Sequence, residues 1–471
     1  MGNGKKVIKA GVGYIISNYL LKGLSFFTIP IFARLMSTAD YGMFNTYAAY
    51  DSVLCIIVGM TLHSCFKNAK YKYNDKFEEF ISTCILMALV SLGTWMILIN
   101  TIYPLMSDIL KMSRFVVNIL LLNCIGNAFI MFYNSYVELQ YEYKAFLKLA
   151  LTNALSSVAL SIFLILTVCH RNAALGRILG TALPVIAIGI YIICFFWKKQ
   201  KPAKKSEYCK FALRFSGPTI PHGLSQVVLS QFDRIMITNM CGAAQSGLYS
   251  FGYNIYSLML VTANSLDGVW GPWLFERLHK KDVKTVKAIA SRYAFGIFVF
   301  SVIVMLAAPE LIWLLGTEEY REAIYVVIPI VLGGFFSFLY TIPVQVEYYY
   351  EKTNYIAMCS CGAAVLNIIL NWVFISRYGY IAAAYTTLVT YLIYFVFHYL
   401  IVKKIVKQPL FRDRDFIIII VLALCAGFIA IALIHQIFVR WGLIIAVIIC
   451  YLSWAQKEYG ILTKVKILVR K

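Results

Sequence analysis

Lys22 stands twelve residues inside an apolar segment running from Ala10 to Met36. At about 1.5 Å of rise per helical residue it lies roughly 18 Å deep, near the middle of a bilayer. An ammonium there costs at least about 2.5 kcal/mol, so it must face a partner or a wet cavity. The chemistry it offers is anion binding. Asn18 and Ser25 share its helix face at i, i+4, i+7 spacing, which makes one polar stripe, and Arg34 closes the same segment. Asp51, eight residues into the next segment, is a counter-charge for Lys22 or a protonation site. A second stripe, Gln226, Ser230 and Asp233, lies in FSGPTIPHGLSQVVLSQFDRIMITNM. Arg234 projects about 100° from Asp233, so the two need not pair. These residues divide by chemistry. Lys22, Arg234, Asn18, Ser25, Gln226 and Arg34 are candidates for binding a polar or anionic ligand, and Asp51 and Asp233 for coupling to an ion.

The alternative for Lys22 and Asp51 is a static buried pair that only holds helices together. His222, beside Pro218 and Pro221, reads as a hydrogen-bonding residue. Asp267, Glu138 and Glu347 read as interfacial carboxylates near cytoplasmic span ends. The twelve cysteines are scattered without metal spacing and read as small packing residues. There is no Walker A loop, HExxH or nucleophile elbow, so neither catalysis, a cofactor nor a bound metal is expected. Any work must be driven by a gradient or the membrane potential.

The elements that hold these residues are membrane helices. The chain is 61% hydrophobic and 14% charged, against about 25% charged in soluble proteins. Hydropathy gives about fourteen spans: 10–36, 43–66, 80–105, 114–138, 147–169, 174–197, 211–240, 247–270, 289–316, 323–347, 355–377, 379–402, 415–437 and 440–456. The expected class is an all-α, polytopic membrane protein. A barrel is excluded because its strands would alternate every second residue. The net charge of +21 is topological: 32 of the 43 Lys and Arg fall on one side and 8 on the other. The positive-inside rule then puts both termini in the cytoplasm, and the basic balance implies lipid headgroups, not nucleic acid.

The two halves look duplicated. VELQYE from Val137 answers VEYYYE from Val346, Arg34 answers Arg234, and Gly42 in ADYGMF answers Gly247 in QSGLYSF. Six spans per copy is even, so the repeat is parallel, as in alternating-access transporters. The expected organisation is an N-lobe over 1–200, a C-lobe over 201–410, and an extra helix pair with a basic cytoplasmic tail over 411–471.

Three stretches carry a resemblance: PIFARLMSTADYGMF, FSGPTIPHGLSQVVLSQFDRIMI and VWGPWLFE. In these the chain resembles the polysaccharide (O-antigen type) flippases of the multidrug/oligosaccharidyl-lipid/polysaccharide (MOP) superfamily. The resemblance implies two six-helix lobes around a central cavity in the bacterial cytoplasmic (inner) membrane. It implies transfer of an undecaprenyl-pyrophosphate-linked oligosaccharide from the cytoplasmic to the periplasmic leaflet, with Lys22 and Arg234 meeting the pyrophosphate. A proton or sodium ion, membrane lipids and the polysaccharide polymerase machinery are the other expected partners. Drug-exporting relatives carry an acidic residue in the first span where this chain has Lys22, which argues for an anionic headgroup. A cation-coupled drug antiporter is the alternative. A membrane polymerase is disfavoured by the short outer connections.

Overall fold

The computed structural model describes residues 2–406 and 408–459, with side chains outside the description at 2–12, 15, 18, 258, 261, 264, 265, 458 and 459. Among the described residues the chain is helical throughout, with short turns between long helices. In order the helices are α1 (Gly2–Leu35), α2 (Thr38–Val58), α3 (Phe66–Tyr73), α4 (Phe77–Leu110), α5 (Arg114–Leu139), α6 (Tyr143–Leu166) and α7 (Ala173–Lys199). The second series is α8 (Ser206–Ser216), α9 (Thr219–Met240), α10 (Ala243–His279), α11 (Val283–Leu315), α12 (Ile324–Leu339), α13 (Thr341–Tyr349), α14 (Thr353–Tyr378) and α15 (Ile381–Ile405). Two more follow, α16 (Asp413–Ala432) and α17 (Ile437–Tyr459).

Among the described residues, ten helical stretches are long and apolar enough to cross a membrane, which makes this a multi-pass membrane protein. The described helices outside those ten include α2, α9 and α10. These carry Asp51, Asp233 and Asp267, and such polar residues lower a helix's mean hydropathy. The second span ends at Val58, not near 66. Met60 and Thr61 adopt left-handed φ of 54° and 47° and turn the chain, while Met60, Leu62, Cys65 and Phe66 keep hydropathy high across the turn. The seventh span is broken at Gly217–Pro218 into α8 and α9, where the prolines predict a break. Helix starts repeat across the chain: α2 begins at Thr38 and α10 at Ala243, 205 residues on; α6 begins at Tyr143 and α14 at Thr353, 210 on.

The chain forms two compact units, Met1–Ser250 with Ala364–Tyr380, and Phe251–Ala363 with Ile381–Lys471. The first is packed around Phe66, Phe80, Phe129 and Phe132, with the Phe66 and Phe132 rings 5.1 Å apart. Lipid supplies no hydrophobic drive between helices, so close fit must hold them. Gly126 shows how: a Cβ there would lie 2.8 Å from a Val185 methyl, and Gly189 approaches the Gly126 Cα. The backbones of α5 and α7 therefore touch between Asn123 and Asn127. In the second unit Arg440 of α17 clamps Glu310 of α11 with two bonds of 2.5 and 2.7 Å, which anchors the last helix.

Candidate functional site

Asp51 lies on α2 and faces α5. Its Oδ1 accepts from Asn123 Nδ2 at 2.9 Å and from the Cys124 thiol at 3.1 Å, and its Oδ2 accepts from Asn127 Nδ2 at 2.9 Å. Residues 123, 124 and 127 fall on one side of a helix, so α5 presents a ready-made donor set. Cys124 thus does more than pack. The expected pair with Lys22 is not formed among the described residues; amides and a thiol satisfy the carboxylate instead.

Asp51 borders a cavity of about 310 Å³ within the first unit, lined also by Ser25, Tyr47, Asn123, Asn153, Arg177 and Thr181. Arg177 is the residue that sequence reasoning missed. Hydropathy places it at an outer span end, yet its guanidinium carbon lies 3.4 Å from the centroid of the Phe32 ring and 4.9 Å from that of Phe44. It sits one turn into α7, where end-of-span cations are ordinary. Its neighbours Gly176 and Gly180 were the available signal, because small residues four apart mark close helix packing. Three cavity-lining side chains each keep a buried polar atom without a hydrogen bond: Tyr47 Oη, Asn123 Oδ1 and Arg177 Nη1. Buried polar groups are almost always paired, so these three atoms are available to water or to a polar or ionic guest in the cavity.

The remaining candidates divide. Ser25 reaches this cavity, and its hydroxyl donates to Leu21 O of its own helix at 3.0 Å. Lys22 is exposed on α1, and the Asn18 side chain lies outside the described residues. Arg34 is exposed, with Nη1 donating to Pro30 O at 2.9 Å. Arg234 is buried, and Nη1 donates to Ser230 O and Gln231 Oε1, each at 2.8 Å. Gln226, half-buried one turn earlier, accepts the Ser230 hydroxyl at its carbonyl. Asp233 is buried and forms a second nest: Tyr249 Oη donates to Oδ2 and Asn371 Nδ2 to Oδ1, both at 2.6 Å. The two carboxylate-bearing helices are joined directly, Thr46 of α2 to Thr238 of α9 at 2.6 Å. In the second unit Glu347 is not interfacial: it is fully buried against His398.

The family described as polysaccharide biosynthesis protein matches residues 8–276, more than half of the chain. The chain belongs to that family. A protein of the Lsg locus of Haemophilus influenzae is 23% identical over 383 residues, covering 77% of this chain and 90% of its own length. Among solved structures, the lipid II flippase MurJ in an inward closed conformation superposes with TM-score 0.69 at 15% identity, over 96% of this chain and 99% of its own. An inward-facing multidrug resistance MATE transporter of the MOP superfamily gives TM-score 0.64 at 12% identity, over 82% and 93%. The family member therefore has the fold of MOP-superfamily transporters, reached with very few shared residues. The all-α, polytopic membrane class expected from the sequence is the class observed.

Proposed function

We propose that this chain is a lipid-linked oligosaccharide flippase of the bacterial cytoplasmic membrane, with both termini inside. It moves undecaprenyl-pyrophosphate-linked glycan units from the cytoplasmic to the periplasmic leaflet by alternating access of two six-helix lobes, 1–200 and 201–410, with 411–471 added. Family membership supports the glycan, and the polar cavity built on Asp51 and Arg177 carries the transport reading. A sealed bundle of apolar helices has no use for a carboxylate and a guanidinium on one polar cavity. A transporter that must admit polar cargo does.

Lys22 and Arg34, exposed cations on α1, are proposed to meet the pyrophosphate, aided by Asn18 and Ser25; Arg234 and Gln226 support them from α9. Asp51 and Asp233 are proposed as ion-coupling carboxylates. Asn123 Oδ1 and Tyr47 Oη, open beside Asp51, are oxygens of the kind a hard cation takes. Drug antiport on the same fold is the weaker reading, because the Arg177 guanidinium on this cavity opposes a cationic drug.

Two predictions follow from the assignment. Lys22→Ala, an exposed change, leaves the amount of folded protein unaltered and lowers surface glycan export in a strain lacking the native gene by about ten- to a hundred-fold. That is the worth of a charged hydrogen bond, roughly 1.5–3 kcal/mol. Full surface polysaccharide in this variant removes Lys22 from the binding set. In proteoliposomes, transport by the native protein rises with an imposed sodium or proton gradient, whereas Asp51→Asn transports at one rate with or without it. A gradient response retained by Asp51→Asn excludes Asp51 as the coupling group.

A further inference from the structure

Glu347 and His398 are ionisable, fully buried and unused by the reading above. Glu347 lies near the end of α13 and His398 on α15, with Oε1 and Nδ1 2.6 Å apart. Their other polar atoms, Glu347 Oε2 and His398 Nε2, are buried and make no hydrogen bond. Aromatic rings surround the imidazole: Tyr394 meets it edge-on at 4.7 Å between centroids and Tyr340 stacks at 5.9 Å. Cys359 of α14 and Tyr348 of α13 lie within electrostatic reach of the carboxylate. Asp267 of α10, held by Gln345, acts on Tyr340 and Tyr348. None of these five neighbours is a cation, so among them only the imidazole can balance the glutamate.

Proton counting decides what such a pair can do. With the imidazole and carboxylate both deprotonated the pair carries one negative charge, with one added proton it is neutral, and with two it is positive. Either charged form is strongly disfavoured in a dry interior. Closed as it is here, the pair is neutral only with one proton between its two groups. In every neutral arrangement with the Nδ1–Oε1 bond intact, one donor, the Nε2–H or a proton on Oε2, is left without an acceptor among the described side chains. An unpaired buried donor is destabilising, and apolar residues of similar size often replace a buried ion pair at no loss. A purely structural bridge has no reason to take this form. The imidazole also makes the pair a poor site for a hard cation, which takes oxygen ligands.

We propose that Glu347–His398 is a proton-binding site in the second unit, occupied by one proton while sealed and exchanging it when α13 and α15 admit water. As a coupling site for transport it rests on the flippase reading; as a proton site it does not. The full chain, in lipid nanodiscs and labelled with ¹⁵N in its 6 histidine rings, tests it by NMR between about pH 5 and pH 8. The variant His398→Gln assigns the signal. The expected result is that the His398 ring gains or loses a proton within this window as the sealed pair opens, and that Glu347→Gln displaces or removes that change. If Glu347→Gln does not insert, Glu347→Asp takes its place under the same criterion. A His398 ring that keeps one protonation state throughout overturns the proposal, as does a midpoint indifferent to residue 347. No substrate is used, so failure of the export assay and failure of this titration are separate results.

Discussion

Gly42→Val and Gly247→Val each prevent folded protein from accumulating, whereas Gly93→Val behaves as the native chain does. The difference is steric. A Cβ on Gly42 would lie 1.8 Å from the Ala243 carbonyl oxygen and 2.7 Å from the Gly247 nitrogen, and a Cβ on Gly247 would lie 1.9 Å from the Thr38 carbonyl oxygen. These are backbone atoms in the first turns of α2 and α10, so no rotamer change relieves the clash. The helices must part, and the Thr46 hydroxyl contacts to Thr238 and Ser246 at 2.6 and 3.4 Å go with them. Overpacking of this kind costs about 3 kcal/mol or more, a large share of a typical stability of roughly 5–15 kcal/mol. At Gly93 an added Cβ meets nothing within 4 Å. The yield of monodisperse, detergent-extracted protein and its thermal midpoint read the effect. A native-like Gly42→Val would mean that the two helices do not cross this tightly.

The same glycines show what a sequence can and cannot reveal. Their motifs, ADYGMF and QSGLYSF, were legible as repeat markers because duplication preserves order along the chain. That the two copies touch one another was not, since no local pattern says which helices cross. Asp51 was legible for a similar reason: a charge in an apolar run stands out by type alone. Its partners did not stand out, because Asn123 and Asn127 are 72 and 76 residues away and amides are unremarked in helices. Lys22 drew attention through depth, but depth is silent on facing, and the carboxylate expected to pair with it is held by amides. Arg177 was hidden by its place near a span end, the one location where a membrane helix carries arginine at little cost. The helical class and the break at Gly217–Pro218 were readable because each follows from composition or from proline's missing N–H. The polar cavity depends on the packing of α2, α5 and α7, which only the fold supplies.

Breaking the Glu347–His398 pair from one side costs more than removing it altogether. His398→Leu leaves a carboxylate with no counter-charge and no surface exposure, and Glu347→Leu leaves an imidazole with both ring nitrogens unpaired. One-sided removal of a buried charged partner typically costs about 3–5 kcal/mol, while replacing both by apolar groups of similar volume is often neutral. The expected order of thermal midpoints in nanodiscs is therefore native and double variant highest, both single variants well below. A coupling energy of this sign appears only if the two side chains interact across α13 and α15, so additive losses would dissolve the pair. Tyr340 and Tyr394 stay in place in all four proteins, and leucine can pack against their rings. A double variant as stable as the native chain also bears on why the pair is there. Stability would then not require it, and the buried groups would be retained for what apolar residues cannot do, which is to take up and release a proton.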